Sequence, residues 1–272
     1  MHKGFLRALR GLWSLLTGFT FPLGSRWCPD LGKLQSEQRR RKGLVIVLPG
    51  VEGKGPLNHN LALGLADGGL ACAIRVHDWT TGYWPLFAYH LRNGRRTARE
   101  AARLVNDIVR YQDAYPNRPV YLVGHSGGGA LAVKTLECLP PGRTVAAAYL
   151  LAPAISRGYD LSRALGHVEA GVWNLYSPLD CVLLTLGTSL VGTVDGKHDV
   201  GAGAWGFRLP SALSRNQRRA YHARLHQYRY RPRLARLWHL GGHFGWTNRV
   251  FVSEWLTPLI GGPGAAAARR GK

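Results

Sequence analysis

Three short stretches of this chain carry side chains that, brought together, would perform acyl transfer. The first is Gly124-His125-Ser126-Gly127-Gly128, a G-x-S-x-G pattern between the apolar run Val120-Tyr121-Leu122-Val123 and a helix-compatible segment, residues 129–134. A strand that bends sharply into a helix lifts a serine hydroxyl above the sheet edge. Glycines at 124 and 128 let the strand and helix approach without a Cβ clash. A serine hydroxyl is a poor nucleophile until a base removes its proton, and the base is usually a histidine oriented by a buried carboxylate. In turns of this type the chain order is serine, acid, histidine, so the partners are sought downstream.

The second stretch is Gly241-Gly242-His243-Phe244-Gly245. Glycines on both sides free the ring to reach over a sheet edge, and an apolar segment read as the last strand, residues 234–240, leads into it. Of the other late histidines, His222 and His226 fall in a basic helix-like stretch, His239 lies within the apolar segment and His198 lies in a loop. His243 is the expected base. Beyond the helix that follows Ser126, five carboxylates precede His243: Asp160, Glu169, Asp180, Asp195 and Asp199. Asp180 closes the third stretch, Ser177-Pro178-Leu179-Asp180, after an expected strand over residues 171–176. It is the expected orienting acid, with Asp195 second. A helix N-cap is the competing role for Asp180, since Cys181-Val182-Leu183-Leu184 follows.

An acyl transfer also needs donors for the developing oxyanion. The Gly127 N–H follows the nucleophile at a helix start, where the dipole helps. The Val51 N–H, after Pro49-Gly50 at the end of the first expected strand, is the second expected donor. Trp79, Tyr83, Trp84 and Phe87 lie between the second strand and a long helix. They either wall an acyl or aryl pocket or pack against the sheet. The chemistry calls for no metal and no cofactor.

The elements that must position these groups are legible as an alternation. Residues 44–48 form a continuous apolar run of buried-strand length. A helix is expected over residues 58–66, a strand over 70–76 and a long helix over 95–115. The strand leading to Ser126 and its helix follow, then strands over 145–151 and 171–176, a basic helix-like segment over 211–228, a strand over 234–240 and a helix over 246–255. Six such alternations predict an α/β protein: a doubly wound, mainly parallel sheet of about six strands with helices on both faces. Side chains at the carboxyl ends of such strands cluster. The expected organisation is a basic, amphipathic extension over 1–42, closing in a solvated linker over 25–42, a catalytic domain over 43–260 and a disordered Gly/Ala/Arg tail over 261–272.

The segments Leu-Pro-Gly-Val-Glu-Gly (48–53), Gly-His-Ser-Gly-Gly (124–128), Ser-Pro-Leu-Asp (177–180) and Gly-Gly-His-Phe-Gly (241–245) together resemble the α/β-hydrolase superfamily. The resemblance covers about residues 43–256. It implies a serine hydrolase, most often a carboxylic ester hydrolase, acting on a small acyl substrate through an acyl-enzyme on Ser126. It also implies an eight-stranded sheet with an antiparallel strand near its start. The region before residue 43 offers no clear hairpin, so a trimmed sheet of about six strands is expected. Many relatives carry His-Gly after the first core strand, and Pro49-Gly50 departs from that pattern.

The charge is extreme: 36 Lys and Arg against 15 Asp and Glu, a formal net charge of +21. Nucleic acid, an anionic membrane face and a merely solvated basic surface are the candidate reasons. Eight arginines from Arg215 to Arg236, interleaved with Tyr221, Tyr228 and Tyr230, could track phosphates. No nucleic-acid fold signature accompanies them, so nucleic acid is disfavoured. A non-catalytic basic protein that binds anionic lipid or nucleic acid remains the competing class. At the N-terminus Leu6, Leu9, Leu12, Trp13 and Leu16 recur at helical spacing beside Arg7 and Arg10. That reads as an interfacial amphipathic helix or as a helix packed on the domain. The four widely spaced cysteines form no metal-like pair, with Cys72 and Cys138 expected as buried thiols. A cytoplasmic protein with peripheral contact to anionic membrane is expected; the alternative is secretion, with residues 1–24 as a signal peptide.

Overall fold

In the computed structural model, residues 2–18, 20, 28, 30–82, 86, 89–90, 93–180, 193–196 and 200–262 are described. Six strands form one sheet: β1 (Leu44–Leu48), β2 (Ala73–Val76), β3 (Val120–His125), β4 (Val145–Leu151), β5 (Val168–Tyr176) and β6 (Leu225–Arg229). The spatial order is β2-β1-β3-β4-β5-β6, and every pairing is parallel. The main helices are α1 (His2–Gly18), α2 (Pro56–Asp67), α3 (Gly94–Ala114), α4 (Gly127–Glu137) and α5 (Arg215–Arg224). Residues 249–261 form a last helical run.

The central strands are buried on both faces, which is why they read as unbroken apolar runs. Val45, Ile46, Val47 and Leu48 have no exposed surface, and β3 and β4 carry on the same core. α3 and α4 pack together on one face, while α2 and residues 249–261 pack on the other. Chain order reverses between β1 and β3. The loops leaving those two strands therefore flank the crevice where ligands bind in open parallel sheets. The Pro49–Val51 turn and Ser126 stand on its two sides.

The sixth strand is not where the sequence pattern put it. Residues 234–240, expected as the last strand, are mostly a 3₁₀ helix, Pro232–Leu237, closed by Trp238 in the left-handed region at φ +62°. Pro232 fits the first helical position, and Leu234 and Leu237 repeat at the three-residue period of that helix. The strand lies one segment earlier, inside the basic stretch expected to be helical. β6 is an edge strand, so only half of it is covered. The alternation of Leu225, Gln227 and Arg229 with His226 and Tyr228 is the pattern of such an edge.

Two further expectations change. The described end of the segment read as a solvated linker docks on the domain, where the Arg39 guanidinium donates to the carbonyls of Leu70 (2.6 Å) and Cys72 (3.0 Å). Cys72 is buried as expected, but Cys138 closes α4 with its thiol exposed. The tail from residue 263 onward, Cys181 and Asp199 lie outside the described residues. Among the described residues, no helix is long and apolar enough to cross a membrane.

Candidate active site

Ser126 sits between β3 and α4 at φ +53° and ψ −120°, a conformation that costs a non-glycine residue roughly 1–3 kcal/mol and persists only where its surroundings enforce it. Three backbone hydrogen bonds enforce it here. The Ser126 N–H donates to the Leu151 carbonyl (2.9 Å), and the Ser126 carbonyl accepts from the N–H groups of Gly129 and Ala154 (3.0 Å each). The turn is too tight for side chains on either side. A Cβ on Gly124 would lie 2.4 Å from the Gly128 carbonyl oxygen, and one on Gly128 would lie 2.1 Å from that of Leu48. The glycines of the motif are thus steric requirements of the bend.

The loops carrying the expected acid and base are tied to each other. The Ser177 hydroxyl donates to the Gly241 carbonyl (2.5 Å) and accepts from the Leu179 N–H (3.2 Å). A side chain at Gly241, which has φ +90°, would strike Leu179. This lock places Asp180 Oδ2 2.5 Å from His243 Nδ1, with both side chains buried. His243 opens a short 3₁₀ helix, His243–Thr247, rather than ending a strand. The runner-up acid, Asp195, is committed elsewhere, accepting from the Ser156 N–H (3.0 Å) and hydroxyl (2.5 Å). His239 is buried among Tyr230, Trp246 and Phe251, and burial pushes its pKa down to about 3, so it is neutral.

His243 is brought to the serine turn by the residue just before the nucleophile. The His125 ring lies 4.7 Å from the His243 ring, and its Nε2–H donates to the His243 carbonyl (3.2 Å). On its other side, His125 Nδ1 is 3.6 Å from Glu52 Oε1. Glu52 is itself buried and accepts from the Gly50 N–H (3.2 Å) and the Asn58 amide (3.3 Å). The sequence reading missed Glu52 and His125. The available signal was a titratable residue inside the serine motif and an acid two residues after Gly50.

Two carboxylates therefore act on His243. Burial opposes its charge, but the charge and hydrogen bond of Asp180, together with the charge of Glu52, outweigh burial and raise its pKa above the usual 6.5. Burial likewise works against the Glu52 carboxylate, yet its His125 neighbour holds it below the usual carboxylate range.

The expected oxyanion donors are neighbours. A Cβ on Gly127 would lie 3.1 Å from Val51 Cγ1 and 3.0 Å from the Trp79 ring. Neither the Val51 nor the Gly127 N–H has an acceptor among the described residues. Trp79 is fully buried, and its indole N–H donates to the Pro49 carbonyl (2.7 Å). His90 accepts the Thr81 N–H on Nε2 (3.2 Å), which leaves Nδ1–H to donate to the Val51 carbonyl (3.2 Å). Trp79 thus fixes the Pro49–Gly50 peptide and His90 the Val51–Glu52 peptide, the two that flank the peptide carrying the Val51 N–H. Tyr83, Trp84 and Phe87 lie outside the described residues.

No family model and no curated protein sequence matches the chain. Among solved structures it is similar to LpqC, a poly(3-hydroxybutyrate) depolymerase from Bordetella parapertussis, at 16% identity and TM-score 0.46, over 87% of this chain and 86% of that one. It is also similar to a protein assigned as an aryl esterase from Burkholderia cenocepacia, at 15% identity and TM-score 0.41, over 84% of this chain and 92% of that one. Likenesses at this level leave the class to rest on topology: a doubly wound, parallel α/β sheet with a strained serine turn at its reversal point.

Proposed function

We propose that this chain is a serine hydrolase of the α/β-hydrolase superfamily that cleaves carboxylic esters through an acyl-enzyme. The carrying observation is the buried Asp180–His243 pair, 2.5 Å apart and set against the turn that strains Ser126. With Nδ1 committed to Asp180, Nε2 of His243 is the nitrogen left for proton transfer. The Ser126 Oγ attacks the acyl carbon as its proton passes to Nε2, and the carbonyl electron pair moves onto oxygen beside the Val51 and Gly127 N–H groups. Collapse of that adduct expels the alcohol, which leaves with the proton from Nε2. Water then adds to the acyl-enzyme by the same route, giving its proton to His243, and the released Ser126 oxygen takes it back.

The competing reading as a basic binding module draws less support. Tyr221 is buried, its hydroxyl donating to Asp160 (2.9 Å), while Tyr228 packs on Trp255 and Tyr230 on His239. These rings serve the fold rather than a phosphate track. The test is a panel of p-nitrophenyl esters of graded acyl length together with a fluorophosphonate probe. Wild type should turn over an ester and be labelled at Ser126, and Ser126→Ala should lose activity by about 10⁴ or more. Most activity surviving in that variant would overturn the assignment.

A further inference from the structure

α1 is built inside out. Its inward face is small and polar: Gly11, Ser14 and Gly18 are buried, and a Cβ on Gly11 would lie 2.3 Å from the Trp238 ring. Polar contacts hold that face to the domain. The Asn248 amide donates to the Gly11 carbonyl (3.0 Å), the Asn60 amide donates to the Thr17 hydroxyl (2.9 Å), and Arg7 pairs with Glu254 (2.6 Å). The opposite face is apolar and faces solvent. Phe5 is 67% exposed, Trp13 62% and Leu16 54%, with Leu6, Leu9 and Leu12 about half exposed between them. A helix that spends its polar side on docking and presents leucine and tryptophan outward is not stabilised by that outward face within the monomer.

The helix also has a direction. Arg10 midway along it meets Asp67 at the end of α2, while Gly18 at its end abuts Leu57 at the start of α2 and Phe244, the neighbour of His243. α1 therefore runs antiparallel to α2, and its Trp13–Leu16 end reaches the edge of the sheet that carries the candidate site. Leu240, 61% exposed, follows two residues beyond the Trp238 that packs on Gly11.

The geometry points to this face as a docking surface for an anionic lipid bilayer, which brings the site to esters dissolved in that bilayer; the substrate part rests on the serine hydrolase reading. Charge selects the occupant. Arg10 stays half exposed while paired, and the turn packed beside α1 presents Arg233 and Arg236 to solvent. A second copy would bring together two bodies of formal charge +21, whereas an anionic surface gains about 1 kcal/mol per nearby basic side chain before screening. The helix has 17 residues, about 25 Å, and its inward face is committed to the domain. It would lie in the interface with its apolar ridge immersed and Arg10, Arg233 and Arg236 at the headgroups.

The test is co-sedimentation of the full chain with vesicles of phosphatidylcholine alone and of phosphatidylcholine with phosphatidylglycerol. Binding should require the anionic lipid and weaken with salt. It should fall by about tenfold or more in Leu12→Glu/Trp13→Glu, fall again in Arg233→Glu/Arg236→Glu, and be unchanged in Ser126→Ala. The helix variant should hydrolyse a soluble short-chain p-nitrophenyl ester at the wild-type rate, and a long-chain ester embedded in anionic vesicles at least about tenfold more slowly. The docking surface is overturned if wild type stays in the supernatant at every composition, binds neutral vesicles equally well, or forms a dimer that the helix variant dissolves. Equal hydrolysis of the embedded ester by both proteins overturns the substrate class alone. Vesicle binding without turnover of either ester strikes the hydrolase reading and leaves the docking surface standing.

Discussion

The Ser126 turn and α1 break the rules of folding in opposite ways. At the turn the protein buries what is costly to bury: Asp180, His243, Glu52 and His125, beside a serine with positive φ. Along α1 it exposes what is costly to expose, a ridge of Phe, Leu and Trp. The turn is over-determined, with hydrogen bonds closing on Ser126 from β4 and its following loop and with Ser177 stapling the acid loop to the base loop. α1 is held by one face only. A site that does chemistry needs groups fixed to a fraction of an ångström, whereas a surface that meets a fluid partner needs only to be presented. The variants below should pull these two kinds of departure apart.

The largest effect is expected at the acid. Asp180→Asn keeps the side-chain shape but no longer selects the tautomer that leaves Nε2 of His243 as proton acceptor. The expected loss in kcat is on the order of 10³–10⁴, with Ser126 still present and the fold retained by circular dichroism. A loss of less than tenfold on the soluble ester would transfer the orienting role to another group, and Glu52 is the nearest buried candidate.

Next comes the inward face of α1. Gly11→Ala puts a methyl group where the Trp238 ring stands, 2.3 Å from its Cγ. Trp238 holds a left-handed backbone conformation and has little room to give. The expected destabilisation is about 1–3 kcal/mol, read as a drop in the denaturation midpoint. Because α1 abuts Phe244, kcat should fall severalfold as well. An unchanged midpoint would mean that α1 is not docked as described.

A smaller effect separates the two carboxylates at the base. Glu52 does not touch His243 directly, but its charge raises the His243 pKa alongside Asp180. Activity needs neutral His243, so the acid limb of kcat/KM marks the pH at which that ring gains a proton. Removing one negative charge makes the protonated ring less favourable and lowers its pKa, so Glu52→Gln should move the acid limb to lower pH. Glutamine still offers an acceptor to the Gly50 N–H, so plateau kcat should change by at most about tenfold, the scale of one charge-assisted hydrogen bond. A purely structural Glu52 would lower kcat without moving the limb.

How much of this was legible follows from what each segment demands of its residues. The Ser126 turn, the Ser177–Asp180 turn and the glycines around His243 need particular residues for local backbone reasons, so their patterns stand out. β1, β3 and β4 are buried on both faces and read as apolar runs. β6 is only partly covered and ends on Arg229 within a run of flanking arginines, so the stretch resembles a solvated helix, while Leu234 and Leu237 in the next segment mimic a strand. The Glu52–His125 pair joins residues far apart in sequence and became visible only when β1 and β3 came to lie side by side. The periodicity of α1 revealed a two-faced helix but not which face looks inward. That depends on Gly11 meeting Trp238, a contact between residues at opposite ends of the chain.

The smallest effect is expected on the outward face, and there its smallness is the informative result. Leu9 lies on the exposed ridge of α1, about half accessible. In an ordinary amphipathic helix a leucine at the centre of the apolar stripe is buried, and its replacement by a polar residue costs several kcal/mol. Here Leu9→Gln removes little packing, strands no buried polar group and keeps a good helix former. The midpoint of denaturation should therefore shift by no more than corresponds to about 0.5 kcal/mol. The soluble-ester kcat should not move, since Leu9 touches nothing that positions Ser126, Asp180 or His243. A loss of 2 kcal/mol or more, on the scale of a buried leucine, would show that the ridge is covered within the monomer. α1 would then be an ordinary packed helix, and the contrast with the Ser126 turn would collapse.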